Sequence, residues 1–159
     1  MQIRHATESD APAISALVHS VAHYFTIDPS GLGAEEFFNT ITPSAIAGYI
    51  TAANFDYYVG VNETQQIIAA IALRDNSHLY HLFVTEKEQG KGYAKCLWLN
   101  LKDAALAHGN AGKFTVNASI FAQPMYTTFG FIQTSEAQEM HGLRFVPMVL
   151  DLSSLGVNQ

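Results

Sequence analysis

The most regular pattern in the chain is a run of apolar residues at Ile14, Leu17, Val18 and Val21, spaced i, i+3, i+4, i+7, which predicts one buried face of a helix. Ahead of it, Thr7-Glu8-Ser9-Asp10 and Ala11-Pro12 supply cap candidates, first-turn acids and an early proline, the features of a helix start. A second stripe, Ala94, Leu97, Trp98, Leu101 and Ala105, predicts a longer helix closed by His108-Gly109. Strands are expected at Gln2–His5, 56–61, 66–73, His78–Val84, 113–117, 131–134 and 143–150, with turns at 62–65 and 74–77. The 66–73 run is apolar on both faces and reads as a central strand. Short helices are expected at 44–53 and within 119–129, the second ended by Gly130. From Thr26 to Pro43 the periodicity fades, and the reading is a mobile connection. The order β-α-α-β-β-β-α-β-α-β-β predicts an α/β sandwich around a mixed sheet, with neither repeat nor linker to divide residues 1–159.

Composition narrows the class. A length of 159 residues suits one domain, and 48% hydrophobic against 14% charged residues is a globular balance. No apolar run reaches the ~18–20 residues of a membrane span, and the start has no apolar core of a signal peptide. Cys96 is the only cysteine, so the fold needs no oxidising compartment, and a cytoplasmic protein is the simple expectation. Cys96 itself sits beside the core stripe and reads as packing. The net charge of −6 argues against general nucleic-acid binding. It leaves room for a small anion held locally, since Lys87, Lys91, Lys95 and Lys102 are clustered. No metal-ligand spacing and no Gly-x-Ser-x-Gly elbow occurs.

The segment Gln89-Gly90-Lys91-Gly92-Tyr93-Ala94 joins a strand to a helix. Glycines there allow close approach of the backbone to a ligand, and the free N–H groups of a helix start favour phosphate. It is neither a Walker A loop nor a dinucleotide fingerprint, since position 95 is lysine where the latter requires glycine.

Gln89-x-x-Gly92-x-Ala94 resembles the Gln/Arg-x-x-Gly-x-Gly/Ala signature of the GNAT superfamily of N-acetyltransferases. The preceding strand His78–Val84 is similar to that family's fourth strand. Downstream, Asn117 and then Tyr126-x-x-x-Gly130-Phe131 resemble a second family segment, and Ile3-Arg4-x-Ala6-Thr7-x-x-Asp10 a typical start. The resemblance implies a mostly antiparallel mixed sheet, flanked by helices on both faces and splayed at strands 4 and 5. It implies acetyl-CoA as co-substrate, with the backbone of Gln89, Gly90, Lys91, Gly92, Tyr93 and Ala94 at the pyrophosphate. Leu82, Phe83 and Val84 would contact the pantetheine arm, with the Val84 N–H polarising the thioester. Asn117 would bond that arm or the following helix. Tyr126 matches the family's general acid, and His78 occupies a position where some members carry the base.

Other residues are judged on their own chemistry. Strict alternation would put His78, Tyr80, Leu82 and Val84 on one face and Leu79, His81 and Phe83 on the other, with His81 facing a helix. A histidine titrates near neutrality and can take an amine proton; bulk water is the rival acceptor for His78. Lys91 and Lys95 are phosphate candidates or solvated lysines. Glu35, Glu36, Glu136 and Glu139 are candidates to attract a cationic amine or ordinary surface acids. The expected acceptor is a small primary amine. A protein N-terminus or lysine, or a non-catalytic acyl-CoA sensor, remain as rivals, and the sequence leaves a homodimer open.

Overall fold

The computed structural model describes residues 1–155. Strands β1 (Gln2–His5), β2 (Phe55–Val61), β3 (Ile67–Arg74), β4 (His78–Val84), β5 (Lys113–Ser119), β6 (Ile132–Gln133), β7 (Gln138–Met140) and β8 (Leu143–Asp151) form one sheet. Its order is β1-β2-β3-β4-β5-β8-β6, with β7 also on β8, and every pairing is antiparallel except β4 with β5. The helices are α1 (Ala11–Val21), α2 (Glu35–Asn39), α3 (Pro43–Thr51), α4 (Tyr93–Ala107) and α5 (Gln123–Thr128).

Two apolar layers lie on opposite faces of the sheet. Leu97, Trp98 and Leu101 of α4 pack with Ile71, Leu73, Phe114 and Val116 on one face, where Tyr126 of α5 joins them. Ile14, Leu17 and Val18 of α1 and Ile46 of α3 pack with Tyr57, Val59, Ala70 and Ala72 on the other. β3 is buried along nearly all its length, as a strand covered on both faces must be. The entry to α1 is fixed by Asp10, which accepts from Arg4 at 2.8 and 3.0 Å and from the Thr7 N–H at 2.8 Å. None of the described helices is long and apolar enough to cross a membrane.

The structure corrects three expectations. Residues 26–43 are built into the fold: they contain α2, and Thr26 bridges to Leu143. Helix α2 is five residues long, too short for a 3.6-residue period to register. Cys96 is exposed, because the buried stripe of α4 runs through Leu97, Trp98, Leu101 and Ala105 and leaves position 96 on the solvent side. The strict alternation of β4 also fails. Leu73 pairs with Leu79 and Ala72 with His81, so Tyr80 is an extra residue, a β-bulge. After it, Leu79 shares its face with Leu82 and Val84, which pack on the α4 layer. Tyr80 and His81 both lie against the rings of Tyr49 and Phe55 or Tyr57 on the α3 side.

The feature that shapes the site is a failure of pairing. β4 and β5 are joined only at His78–Thr115 and Leu79–Val116, whereas β5 pairs with β8 along its whole length. Beyond Leu79 the two parallel strands part, which leaves the β5-facing backbone of β4 without a ladder partner.

Candidate active site

The gap between β4 and β5 opens into a cleft of about 1070 Å³. That is at the upper end of ligand-pocket volumes and enough for an extended ligand together with a second, smaller one. Leu82, Phe83 and Val84 line it from β4, Asn117 from β5, Tyr126 from α5, and Gln89, Gly90, Gly92, Tyr93 and Ala94 from the loop and the start of α4. His78 lies at its closed end, where the strands still pair.

The loop is held by its own chemistry. Gln89 donates through Nε2 to the Val84 carbonyl at 3.0 Å, tying the loop back to the end of β4. Gly90 and Gly92 have φ of +79° and +83°, left-handed values that L side chains rarely adopt. No atom lies within 4 Å of a Cβ built on either, so conformation and not crowding asks for glycine there. Gly92 is the N-cap of α4 and no side chain caps that end, so the first N–H groups of the helix stay free for an anion. The Lys91 side chain pairs with Glu88 at 2.8 Å and lies outside the cleft lining, while Lys95 lines it.

Tyr126 is 4% exposed. Burial raises its pKa, with no other cause contributing, so the phenol is firmly protonated. His78 Nδ1 lies 2.7 Å from Thr115 Oγ1, across the last paired rung of β4 and β5. Burial lowers the His78 pKa, nearby Arg74 adds to this and Asp75 opposes it, so the ring is neutral to lower pH than an ordinary imidazole. His81 is buried, with Nδ1 2.8 Å from the Tyr57 hydroxyl, and burial lowers its pKa to about 3. It is a neutral packing group between rings. Asn117 faces the cleft from β5, opposite Pro147 of β8.

Sequence reasoning missed the roof of the cleft. Tyr24 donates to Glu86 Oε1 and its ring stacks on Phe121 at 4.2 Å, so one residue after α1 touches the loops that follow both β4 and β5. Glu36 of α2 pairs with His141 of the β7–β8 turn at 2.6 Å. Glu139 pairs with Arg144 at 2.6 Å, Glu35 accepts from the Gly33 N–H, and Glu136 is exposed. Of the four glutamates weighed as amine attractors, Glu36 alone lines the cleft, and it is already paired. Tyr24–Phe121 and Glu36–His141 join positions about a hundred residues apart and leave no local signal.

Comparison with known proteins supplies the class. The acetyltransferase (GNAT) domain model matches residues 25–152, and the chain belongs to the GNAT acetyltransferase family. No curated protein sequence matches. Among solved structures, a GCN5-related N-acetyltransferase from Rhodopseudomonas palustris superposes with a TM-score of 0.77, at 17% identity over 93% of each chain. The PaiA N-acetyltransferase from Thermoplasma acidophilum, in complex with coenzyme A, superposes at 0.71, with 15% identity over 92% of this chain and 96% of that one. A spermidine N-acetyltransferase SpeG chimera from Vibrio cholerae and hSSAT gives 0.63, with 16% identity over 98% and 99%. At these identities the neighbours share the fold. The mixed, mostly antiparallel sheet splayed at β4 and β5 is thus the GNAT architecture.

Proposed function

We propose that this protein is a one-domain enzyme that transfers an acetyl group from acetyl-CoA to the nitrogen of a small primary amine. The observation that carries the reading is the convergence in one cleft of three features: parted strands, a glycine loop at an uncapped helix start, and a buried protonated phenol. The cleft suits an extended arm, and the α4 end suits its pyrophosphate through backbone N–H groups of residues 90–94 and the charge of Lys95. The crystallised coenzyme A complex of a structural neighbour supports the same co-substrate.

Acetyl-CoA supplies an activated acyl group as a thioester. The chain's contribution is to orient, polarise and move protons. The Val84 N–H, on the edge of β4 that β5 leaves unpaired, polarises the carbonyl; it is fixed before charge develops and so needs no reorganisation. His78, neutral at physiological pH, accepts a proton from the amine directly or through water. The amine nitrogen bonds to the acetyl carbon as the carbon–sulfur bond breaks, and Tyr126 gives its proton to the departing sulfur. The products are an amide and the free thiol of CoA. The contacts that cross the cleft at Tyr24–Phe121 and Glu36–His141 favour a small acceptor over a folded protein's lysine. The lone exposed Cys96 suits a reducing cytoplasm.

The test is a thermal melt with and without acetyl-CoA, followed by thiol release against a panel of amines. Stabilisation together with amine-dependent thiol release is expected. Stabilisation with no release for any amine, free or peptide-borne, would leave an acyl-CoA-binding module.

A further inference from the structure

The acceptor half of the cleft has an unusual balance of charge. Its charged residues are Glu36, Arg74 and Arg144, the loop residues Glu88 and Lys95 belonging to the other end. Glu36 is engaged by the His141 ring at 2.6 Å, and Arg144 is matched by two bonds to Glu139 at 2.9 and 2.6 Å. Arg74 has only its sequence neighbour Asp75, at 3.8 Å. So among the described residues the cation there held most loosely by a carboxylate is Arg74. A polyamine acceptor would need the reverse, carboxylates left free to meet its several ammonium groups.

Arg74 is also placed to matter. It is the register partner of His78, and its guanidinium lies over the Tyr80 ring at 5.3 Å. The β4 bulge is what brings Tyr80 to that side. A carboxylate held by Arg74 would therefore sit beside the closed end of the cleft, next to His78. In an α-amino acid the amine and carboxylate share one carbon, so gripping the acid delivers the nitrogen to the same place. The substituent on that carbon then meets an apolar wall: the Phe25 ring touches those of Phe37 and Phe83, and all three line the cleft beyond Tyr80.

We propose that the acceptor is an α-amino acid with a bulky apolar side chain, its carboxylate bound by Arg74. The inference rests on the acetyl-transfer reading above. In the reaction the α-nitrogen gains the acetyl group and loses a proton, CoA leaves as its thiol, and the acceptor carboxylate is unchanged.

The experiment compares kcat/KM for L-phenylalanine and L-leucine with that for their decarboxylated twins, phenethylamine and isoamylamine, and with spermidine, reading thiol release. In the parent protein each amino acid should exceed its twin by ~10-fold or more, the size of a charge-assisted hydrogen bond to a part-exposed group. Arg74 is half-exposed and at a strand end, so Arg74→Ala should fold, and in it the ratio should collapse towards one. Arg74→Lys should keep part of the preference. Twins or spermidine used as well as the amino acids, or a preference that survives Arg74→Ala, would overturn the assignment and leave the acetyl-transfer reading intact. Thiol release from none of the five, with acetyl-CoA still raising the melting temperature, also overturns it. Absence of both release and stabilisation removes the acetyl-transfer reading as well.

Discussion

The two halves of the cleft are built on different principles. The end proposed for the phosphates is made of backbone: two left-handed glycines, an uncapped helix start, and a Gln89 side chain that ties the loop to its own strand. Everything it needs lies within about fifteen residues of chain. The end proposed for the acceptor is made of side chains drawn from the 24–40 segment, from the β3–β4 hairpin and from the β7–β8 turn, three stretches far apart in sequence. The first kind of site tolerates drift in every residue except those that shape the backbone. The second can change its ligand by exchanging a few side chains while the sheet stays as it is.

The sharpest way to separate the halves is at the reaction they share. Tyr126→Phe keeps the ring in its buried place and removes the only group assigned to protonate sulfur. We expect kcat to fall by ~10²–10⁴-fold with acetyl-CoA affinity nearly unchanged, measured by steady-state kinetics and a binding isotherm. Equal kcat in the two proteins removes Tyr126 from the chemistry.

Next is the backbone end alone. Gly92→Val puts a β-branched residue at φ +83°, a conformation costing ~1–3 kcal/mol for such a residue. The protein should fold, since the Cβ meets no neighbour, but it should lose the ~2.7 kcal/mol of stabilisation expected at a hundredfold excess of acetyl-CoA over Kd. A folded variant with an unchanged ligand-induced shift in Tm would show that the loop conformation is not what binds.

Gly142→Ala strikes the other half. A Cβ at Gly142 would collide with the Gly33 carbonyl, and φ there is +77°. Stability should fall by ~1–3 kcal/mol and KM for the amine should rise, while acetyl-CoA binding is retained, which a denaturant melt and a binding isotherm together can read. Equal loss of both ligands would mean that the two halves are not separable.

The smallest effect is expected at His78. Its pKa is below that of an ordinary imidazole, so its basic form persists as pH falls towards that lowered value and is lost beneath it. The acid limb of kcat/KM should therefore lie below pH ~6.5 in the parent, and His78→Ala should abolish that limb with a loss of about tenfold. An identical profile in both proteins makes water the proton acceptor.

Legibility in the sequence follows the same division. The stripes of α1 and α4 and the doubly apolar β3 were readable because burial imposes a period on neighbouring residues. The glycine loop was readable because left-handed backbone restricts residue type. The bulge at Tyr80 was not, since an extra residue in a strand changes the pairing and not the composition, and it moved His78 and Tyr80 away from the face that alternation gave them. The exposure of Cys96 was missed for a related reason: one position on a helix is 100° of rotation, enough to pass from core to solvent. Glu36–His141 and Tyr24–Phe121 had no local trace at all, because each is a contact between distant segments.

The junction at Gly142 bears on the order in which the molecule assembles. The Ile27 N–H donates to the Gly142 carbonyl at 2.9 Å, and Thr26 bridges to Leu143, so the 26–33 segment is seated on a turn more than a hundred residues away. Closing so long a loop gives up chain entropy before any contact is gained, whereas β2, β3 and β4 pair through short turns. The meander and α4 should therefore form early and the acceptor wall last. A nascent chain emerged from the ribosome only to about residue 130 would already hold the glycine loop, yet it would have nothing with which to close the opposite side.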